Sequence, residues 1–207
     1  PDIDLDALNL YVRLNYIPAP FTIYQSIQKL EPGTIFSLSW PRFHTKMIPY
    51  WSAYDVVNES LKNQIGSSED EVIEHLDDIL RRSVKSRLVS DVPVGAFLSG
   101  GIDSSTIVAL MQAQSSIPVK TFTVGFFEED YNEADYAKKV ASHLGTDHTE
   151  IFVTEKEAMD VIPRLPKLYD EPFADSSQIP TFLISQLAHS IVTVSLSGDG
   201  GDEIFGG

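Results

Sequence analysis

The 207-residue chain contains no cysteine. That excludes a disulfide framework, a thiolate metal centre and a cysteine nucleophile within this span. Basic residues are scarce as well: 15 Lys and Arg stand against 30 Asp and Glu, for a net charge of −15. Nucleic acids and anionic membranes are held by clustered Lys and Arg, so neither is expected as a partner. Apolar runs are short, none reaching the length needed to cross a bilayer, and the pattern of a secretory leader is lacking. The expected location is therefore cytoplasmic, and the glycosylation-like triplet Asn58-Glu59-Ser60 reads as chance. What is abundant is apolar material. Hydrophobic residues make up 43% of the chain and charged residues 22%, enough to bury a sizeable core.

Residues 1–57 read as short segments punctuated by Pro18, Pro20, Pro32, Pro41 and Pro49. A helix is expected over Leu5–Leu14 with Asp4 or Asp6 near its start, and a strand over Thr34–Trp40 after the turn Glu31-Pro32-Gly33. Met47–Trp51 is the expected hairpin partner. This stretch looks like the edge of a β-containing domain, and the chain, opening on Pro1 and stopping at Gly207 just after a motif, is expected to be part of a longer protein. Residues 58–68 form a polar candidate linker.

Ser68 and Glu71 have the spacing of a capping box. Val72, Leu76, Ile79, Leu80 and Val84 then follow a helical period to about Leu88, with Arg81, Arg82, Lys85 and Arg87 read as a solvated basic face. From Pro93 onward strands alternate with helices. Strands are expected over 93–98, 119–124, 149–153 and 191–196, and helices over 103–114, 132–144, 154–162 and 178–189. Near-continuous apolar strands in that alternation predict an α/β fold, a doubly wound parallel sheet with helices on both faces. Right-handed crossovers then put every strand's carboxyl end along one edge, where ligands bind.

Two loops fall on that edge. Ser99-Gly100-Gly101-Ile102-Asp103-Ser104-Ser105 joins an apolar strand to a helix. Glycine lets backbone approach a ligand, and the first N–H groups of a helix lack internal partners, so this is a phosphate cradle. Asp103 is the odd member, since a carboxylate repels a polyphosphate unless a divalent cation lies between them. Ser197-Gly198-Asp199-Gly200-Gly201-Asp202-Glu203 repeats the pattern after the last strand, so Asp103 and Asp202 are candidates to share one Mg²⁺. The first loop lacks the spacer and Lys-Ser/Thr ending of a Walker A motif, and it lacks the third glycine of a dinucleotide fingerprint. A short cradle with metal-binding acids suits attack at the α-phosphorus of a nucleoside triphosphate, with pyrophosphate leaving.

These residues carry a resemblance. The first loop resembles the pyrophosphate loop of the ATP pyrophosphatase (PP-loop) superfamily. Residues 197–207 resemble the second signature of glutamine-hydrolysing asparagine synthetases, as do Tyr169–Ser177 and Thr123-Val124-Gly125-Phe126. Tyr16–Pro20 with Leu30–Gly33 resembles the end of that family's N-terminal glutaminase domain. The resemblance implies residues 1–57 as the end of a glutaminase domain and 58–207 as the first part of an ATP-binding synthetase domain. It implies a ligase that activates the aspartate side-chain carboxylate as an adenylate with ATP and Mg²⁺, then amidates it with ammonia from glutamine. Ser99, Gly100, Gly101, Asp103 and Ser104 would hold pyrophosphate and magnesium. Leu98 and Val124 would line the adenosine site, Ser197 and Gly198 would contact the nucleotide, and Asp202 would complete the metal site. Asp199 stands where many members carry glutamate, the acid associated with deprotonating incoming ammonia. Partners are small-molecule substrates and the missing glutaminase domain, and homodimer formation stays open.

Two departures accompany the resemblance: the chain lacks the N-terminal cysteine of the glutaminase half, and it ends before a later family lysine. This span alone is expected to bind ATP weakly and not to complete amide transfer from glutamine. Two other functions remain: a related adenylating enzyme acting on a polysaccharide or peptide (β-lactam) carboxylate, and a non-catalytic nucleotide-binding module. Asp170, Glu171 and Asp175 read either as a second metal or acceptor pocket or as the entry cap of helix 178–189, with Asp175 or Ser176 capping. His143 and His148 read as surface or packing residues, Met111 and Met159 as core. Tyr11, Tyr16 and Tyr24 read as packing within the first domain.

Overall fold

A computed structural model describes residues 1–63, 66–127 and 133–206. Residues 64–65, 128–132 and 207 lie outside it, and with them part of the candidate linker, the first residue of the expected helix 132–144 and the last glycine of the second signature. The chain divides into two compact units, residues 68–163 with 177–207 and residues 1–67 with 164–176.

The larger unit is built on a four-stranded sheet. Its strands are β3 (Val94–Phe97), β4 (Lys120–Phe126), β5 (Asp147–Val153) and β6 (Val194–Leu196), in the order β5-β4-β3-β6 and all parallel. Parallel strands need long crossovers. Helices α4 (Ile102–Gln112) and α5 (Ala134–Leu144) supply the first two, each moving one strand outward. The connection after β5 carries α6 (Glu155–Val161) and α8 (Gln178–His189) and returns past β4 and β3 to place β6 on the far side.

That reversal of direction puts helices on both faces, as right-handed crossovers require. On one face Ala96 and Leu98 pack with Val108, Leu110 and Met111 of α4, Ala137 and Ala141 of α5, and Val84 of α3 (Glu69–Leu88). On the other, Phe122 packs with Ala188 and Val192, joined by Phe97, Ile184 and Leu187. The doubly wound layer anticipated from the alternation is the one observed. Ser68 and Glu71 form both bonds of the capping box on α3, and Arg81 and Arg82 pair with Asp77 and Asp78 one turn back, in solvent.

Two expectations for this unit are corrected. The last strand begins at Val194 instead of Ile191, because the Ile191 and Val192 N–H groups still bond the Ala188 carbonyl at the end of α8. Met159 is not core: on the short α6 its side chain stays 58% exposed, whereas Met111 is buried.

The smaller unit holds α1 (Leu5–Leu14), the antiparallel hairpin β1 (Thr34–Ser39) and β2 (His44–Pro49), α2 (Ala53–Lys62) and the single-turn α7 (Leu165–Leu168). Asp4 caps α1 by accepting from the Asp6 and Ala7 N–H groups. The core is small: Ala7, Ile17 and Ile23, flanked by Tyr11 and Tyr24. Tyr16, expected to pack there, is 54% exposed. The hairpin partner begins three residues earlier than expected, at His44. The polar stretch 58–68 is not simply a linker either, since α2 continues through it to Lys62 and Ser68 caps α3.

Residues 164–176 join this unit although they lie within the span assigned by sequence to the second domain. The reason is one carboxylate. Glu171 pairs with Lys29 and accepts a hydrogen bond from the Ile23 N–H at 3.2 Å. The Ala174 N–H also donates to the Asn15 carbonyl at 2.7 Å. Glu171→Ala should leave the Ile23 N–H without its partner and the Lys29 ammonium with the Ile17 carbonyl alone, at a cost of about 1–3 kcal/mol. Amide exchange at Ile23 should accelerate; exchange unchanged from wild type would show that the contact contributes nothing.

Candidate active site

The strand order reverses between β3 and β6: β3 has β4 on one side and β6 on the other. Crevices outside the carboxyl ends of strands at such a switch are where open α/β sheets bind ligands. The loops leaving these two strands are the two singled out by sequence.

The first loop closes on itself through its serines. The Ser99 N–H donates to Ser104 Oγ at 3.2 Å, the two hydroxyl oxygens lie 2.9 Å apart, and the Gly101 N–H donates to Ser99 Oγ at 3.2 Å. Ser104 Oγ lies 3.3 Å from the Gly101 carbonyl. Each hydroxyl has one proton. Ser104 therefore donates to the Gly101 carbonyl, and Ser99 donates to Ser104. Gly101 occupies the N-cap position of α4 without a side chain to cap it, and the first helical bond runs from the Ser105 N–H to the Gly101 carbonyl. The N–H groups of the first turn thus face the loop, where a helix favours negative charge. Gly100 has a φ of +84°, and a methyl group there would lie 2.6 Å from Tyr136 Cβ and 2.7 Å from the Ala137 N in the first turn of α5. Only glycine fits.

The second loop packs directly onto the first. A methyl group at Gly198 would lie 2.7 Å from the Ser104 N, and one at Gly201 only 2.4 Å from Asp103 Cγ. The missing side chain at Gly201 is what admits the Asp103 carboxylate. Asp202, next in sequence and in the first turn of α9 (Gly201–Phe205), lies close enough to Asp103 to act on its carboxyl group. Partial removal from water, the neighbouring Asp202 carboxylate and the charge of Glu203 raise the Asp103 carboxyl above the usual carboxylate range. Two hard-oxygen donors in contact fit a magnesium ion. Among the described residues no group of three or more His, Cys, Asp or Glu is arranged to hold a metal, so water and phosphate oxygens would supply the other ligands, as Mg²⁺ prefers.

The remaining candidates take different places. Leu98, the residue after β3, and Val124 on the adjacent β4 lie near the carboxyl ends of those strands, but Leu98 is 1% exposed and belongs to the core. What Leu98 can present is backbone. Its N–H donates to the Phe122 carbonyl at 2.9 Å, and its carbonyl accepts from the Thr123 hydroxyl. Asp199 is turned into its own loop, accepting from the Ser197 hydroxyl at 3.0 Å. Glu171 is engaged within the smaller unit as described, and the N-cap position of α8 is Ser177 rather than Asp175 or Ser176. His148 is half-buried, hydrogen-bonded through Nδ1 to Thr121 at 2.9 Å, with its pKa lowered by burial. No signal in the sequence points to Tyr136, and Thr123 enters there only as part of the Thr123–Phe126 motif, without a role of its own. Thr123 had a signal: with Thr121 it is one of two hydroxyls in the largely apolar strand β4, and it stands beside Val124.

Two glycine loops with facing acids, at the switch point of a parallel sheet, define the class: a doubly wound α/β protein with both loops at one sheet edge. The asparagine synthase family profile matches residues 75–207. A relative from Methanocaldococcus jannaschii is 39% identical over all of this chain and 39% of its own length. Asparagine synthetase (glutamine-hydrolysing) 1 of Bacillus subtilis is 36% identical over all of this chain and 31% of its own length. The chain belongs to the asparagine synthase family, and it spans 31% to 39% of the length of these relatives. Among solved structures, the NH3-dependent NAD synthetase of Campylobacter jejuni is 16% identical with a TM-score of 0.43, over 67% of this chain and 59% of its own, a partial likeness that says nothing of function. No helix among the described residues is long and apolar enough to cross a membrane.

The raised Asp103 pKa has a definite sign. The folded chain holds that proton more tightly than the unfolded chain, so the contribution to stability is complete below the unfolded carboxylate pKa and is lost as pH rises through the folded one. In metal-free buffer the melting temperatures of wild type and Asp103→Asn should converge at low pH. The variant should become progressively the more stable as pH rises to neutrality. A gap that does not change with pH would contradict the acid contact.

Proposed function

We propose that this chain is the nucleotide-binding part of an ATP-dependent amidotransferase of the asparagine synthetase type. Residues 1–57 are the end of its glutaminase domain and 58–207 the first part of its synthetase domain. The observation that carries the reading is the seating of Gly201 and Asp202 against Asp103, which makes one site from two loops at the sheet's switch point. Family membership supports it.

In this reading the Ser99 and Ser104 hydroxyls and the N–H groups around Gly100 and Gly101 exchange their internal bonds for the β- and γ-phosphates of ATP. Asp103 and Asp202 would hold the Mg²⁺, whose charge would offset that developing on the pyrophosphate leaving group. The adenosine lies along the ends of β3 and β4, at the backbone of Leu98 and at Val124, with Ser197 and Gly198 against the nucleotide. An oxygen of the aspartate side-chain carboxylate attacks the α-phosphorus, and the bond from that phosphorus to the bridging oxygen breaks, releasing pyrophosphate. Ammonia from glutamine then attacks the acyl carbon, AMP leaves, and the excess proton passes to a base. Asp199 takes that role once its carboxylate leaves the Ser197 hydroxyl.

The shorter acid at Asp199, already bonded to its own loop, favours a second reading in which the acceptor is a different carboxylate. Incubating the natural full-length polypeptide that carries this chain with Mg-ATP, aspartate and glutamine tests both. AMP, pyrophosphate and asparagine should form in equal amounts. AMP and pyrophosphate formed only with another carboxylate would favour the second reading, and ADP with phosphate would sink both. Asp103→Ala and Asp202→Ala should each slow pyrophosphate release by about 100-fold without lowering the melting temperature.

A further inference from the structure

Strand β4 carries two buried hydroxyls where an interior parallel strand calls for apolar side chains: Thr121 is fully buried and Thr123 is 2% exposed. A buried hydroxyl must find a partner. Thr121 finds side chains, with its oxygen 3.0 Å from Thr146 Oγ1 and 2.9 Å from His148 Nδ1. Thr123 instead donates to the backbone carbonyl of Leu98, the residue before the phosphate loop.

The place of that bond matters. Paired residues of β3 and β4 end at Phe97 and Phe122, and the Leu98 N–H makes one more bond to the Phe122 carbonyl. The chain then leaves the sheet, and the Thr123 hydroxyl takes the carbonyl at the point of departure. A peptide unit is planar, so holding its oxygen also aims its N–H. The N–H of the Leu98–Ser99 peptide is the one that donates to Ser104 Oγ. One peptide plane is thus gripped from both ends, by a sheet hydroxyl and by a loop hydroxyl.

We propose that Thr123 is a positioning residue for the phosphate loop, its hydroxyl fixing the Leu98–Ser99 peptide so that the Ser99 N–H stays aimed when the loop serines turn to phosphate. The inference rests on the pyrophosphate role proposed for this loop. When a ligand draws Ser104 away, the loop-side grip is released. The Thr123 grip comes from the sheet core and stays.

Thr123→Val keeps the shape and removes the hydroxyl, Thr123→Ser keeps the hydroxyl, and Thr121→Val removes a buried hydroxyl from the same strand without touching the loop. In the natural full-length polypeptide, Thr123→Val should raise the KM for ATP in pyrophosphate release about tenfold, the loss of roughly one buried hydrogen bond. Thr123→Ser should restore it to within about threefold, and Thr121→Val should lower the melting temperature while leaving that KM unchanged. If Thr123→Val fails to fold, Thr123→Ala against Thr123→Ser makes the same comparison, since they differ by the hydroxyl alone. An unchanged KM on losing the Thr123 hydroxyl, or equal effects at Thr121 and Thr123, would overturn the inference. If wild type releases no pyrophosphate from ATP, the proposed function fails by itself. The positioning role is then read from amide exchange at Ser99 and Gly101, expected faster without the Thr123 hydroxyl than with it; equal exchange overturns it.

Discussion

Two acids of like charge held near one another at one edge of a sheet are the constraint on which the rest of the site depends. Asp103 and Asp202 would separate if the chain allowed it, yet the glycine at 201 lets Asp103 lie against the second loop's backbone. Both acids sit in the first turn of a helix, where the macrodipole offsets part of the repulsion. In the function proposed above, a divalent cation between the two acids would relieve what repulsion remains. Its charge would in turn let an acidic chain receive a polyphosphate.

That contact exists because of strand order. Nearly a hundred residues separate the two loops in sequence, and only the return crossing after β5 sets β6 beside β3. The cores on the two faces hold this arrangement. Ala96 and Leu98 face α4 and α5, while Phe97 and Phe122 face α8, so consecutive residues of β3 tie opposite layers to the same strand. Thr123 and Leu98 then carry that rigidity one residue further, into the loop. The smaller unit follows another economy: a small apolar cluster and one carboxylate, Glu171, that draws in a distant segment.

Much of this was legible before any coordinates. The capping box at Ser68 and Glu71, the helix entered at Asp4 and the strand–glycine–helix junctions are local signals, decided by backbone donors and by side chains three or four residues away. The features that sequence misjudged are non-local. Ile191 and Val192 look like strand, but whether they pair depends on where α8 lets go of the chain. Met159 and Tyr16 are apolar by type, and their exposure depends on neighbours that the local pattern does not name. Glu171 reads as one acid of a cluster, although its partners, Lys29 and the Ile23 N–H, lie more than 140 residues earlier.

By itself the sequence determined the alternation of strands and helices, the two glycine loops and the kinds of donor they carry, because these follow from periodicity, backbone freedom and charge. The tertiary structure decided that Asp103 meets Asp202, that Leu98 offers backbone in place of side chain, that Asp199 turns inward to Ser197, and that Thr123 reaches the root of the loop. Each of those is a distance between residues remote in the chain or a choice among rotamers. Both are set by how the layers pack.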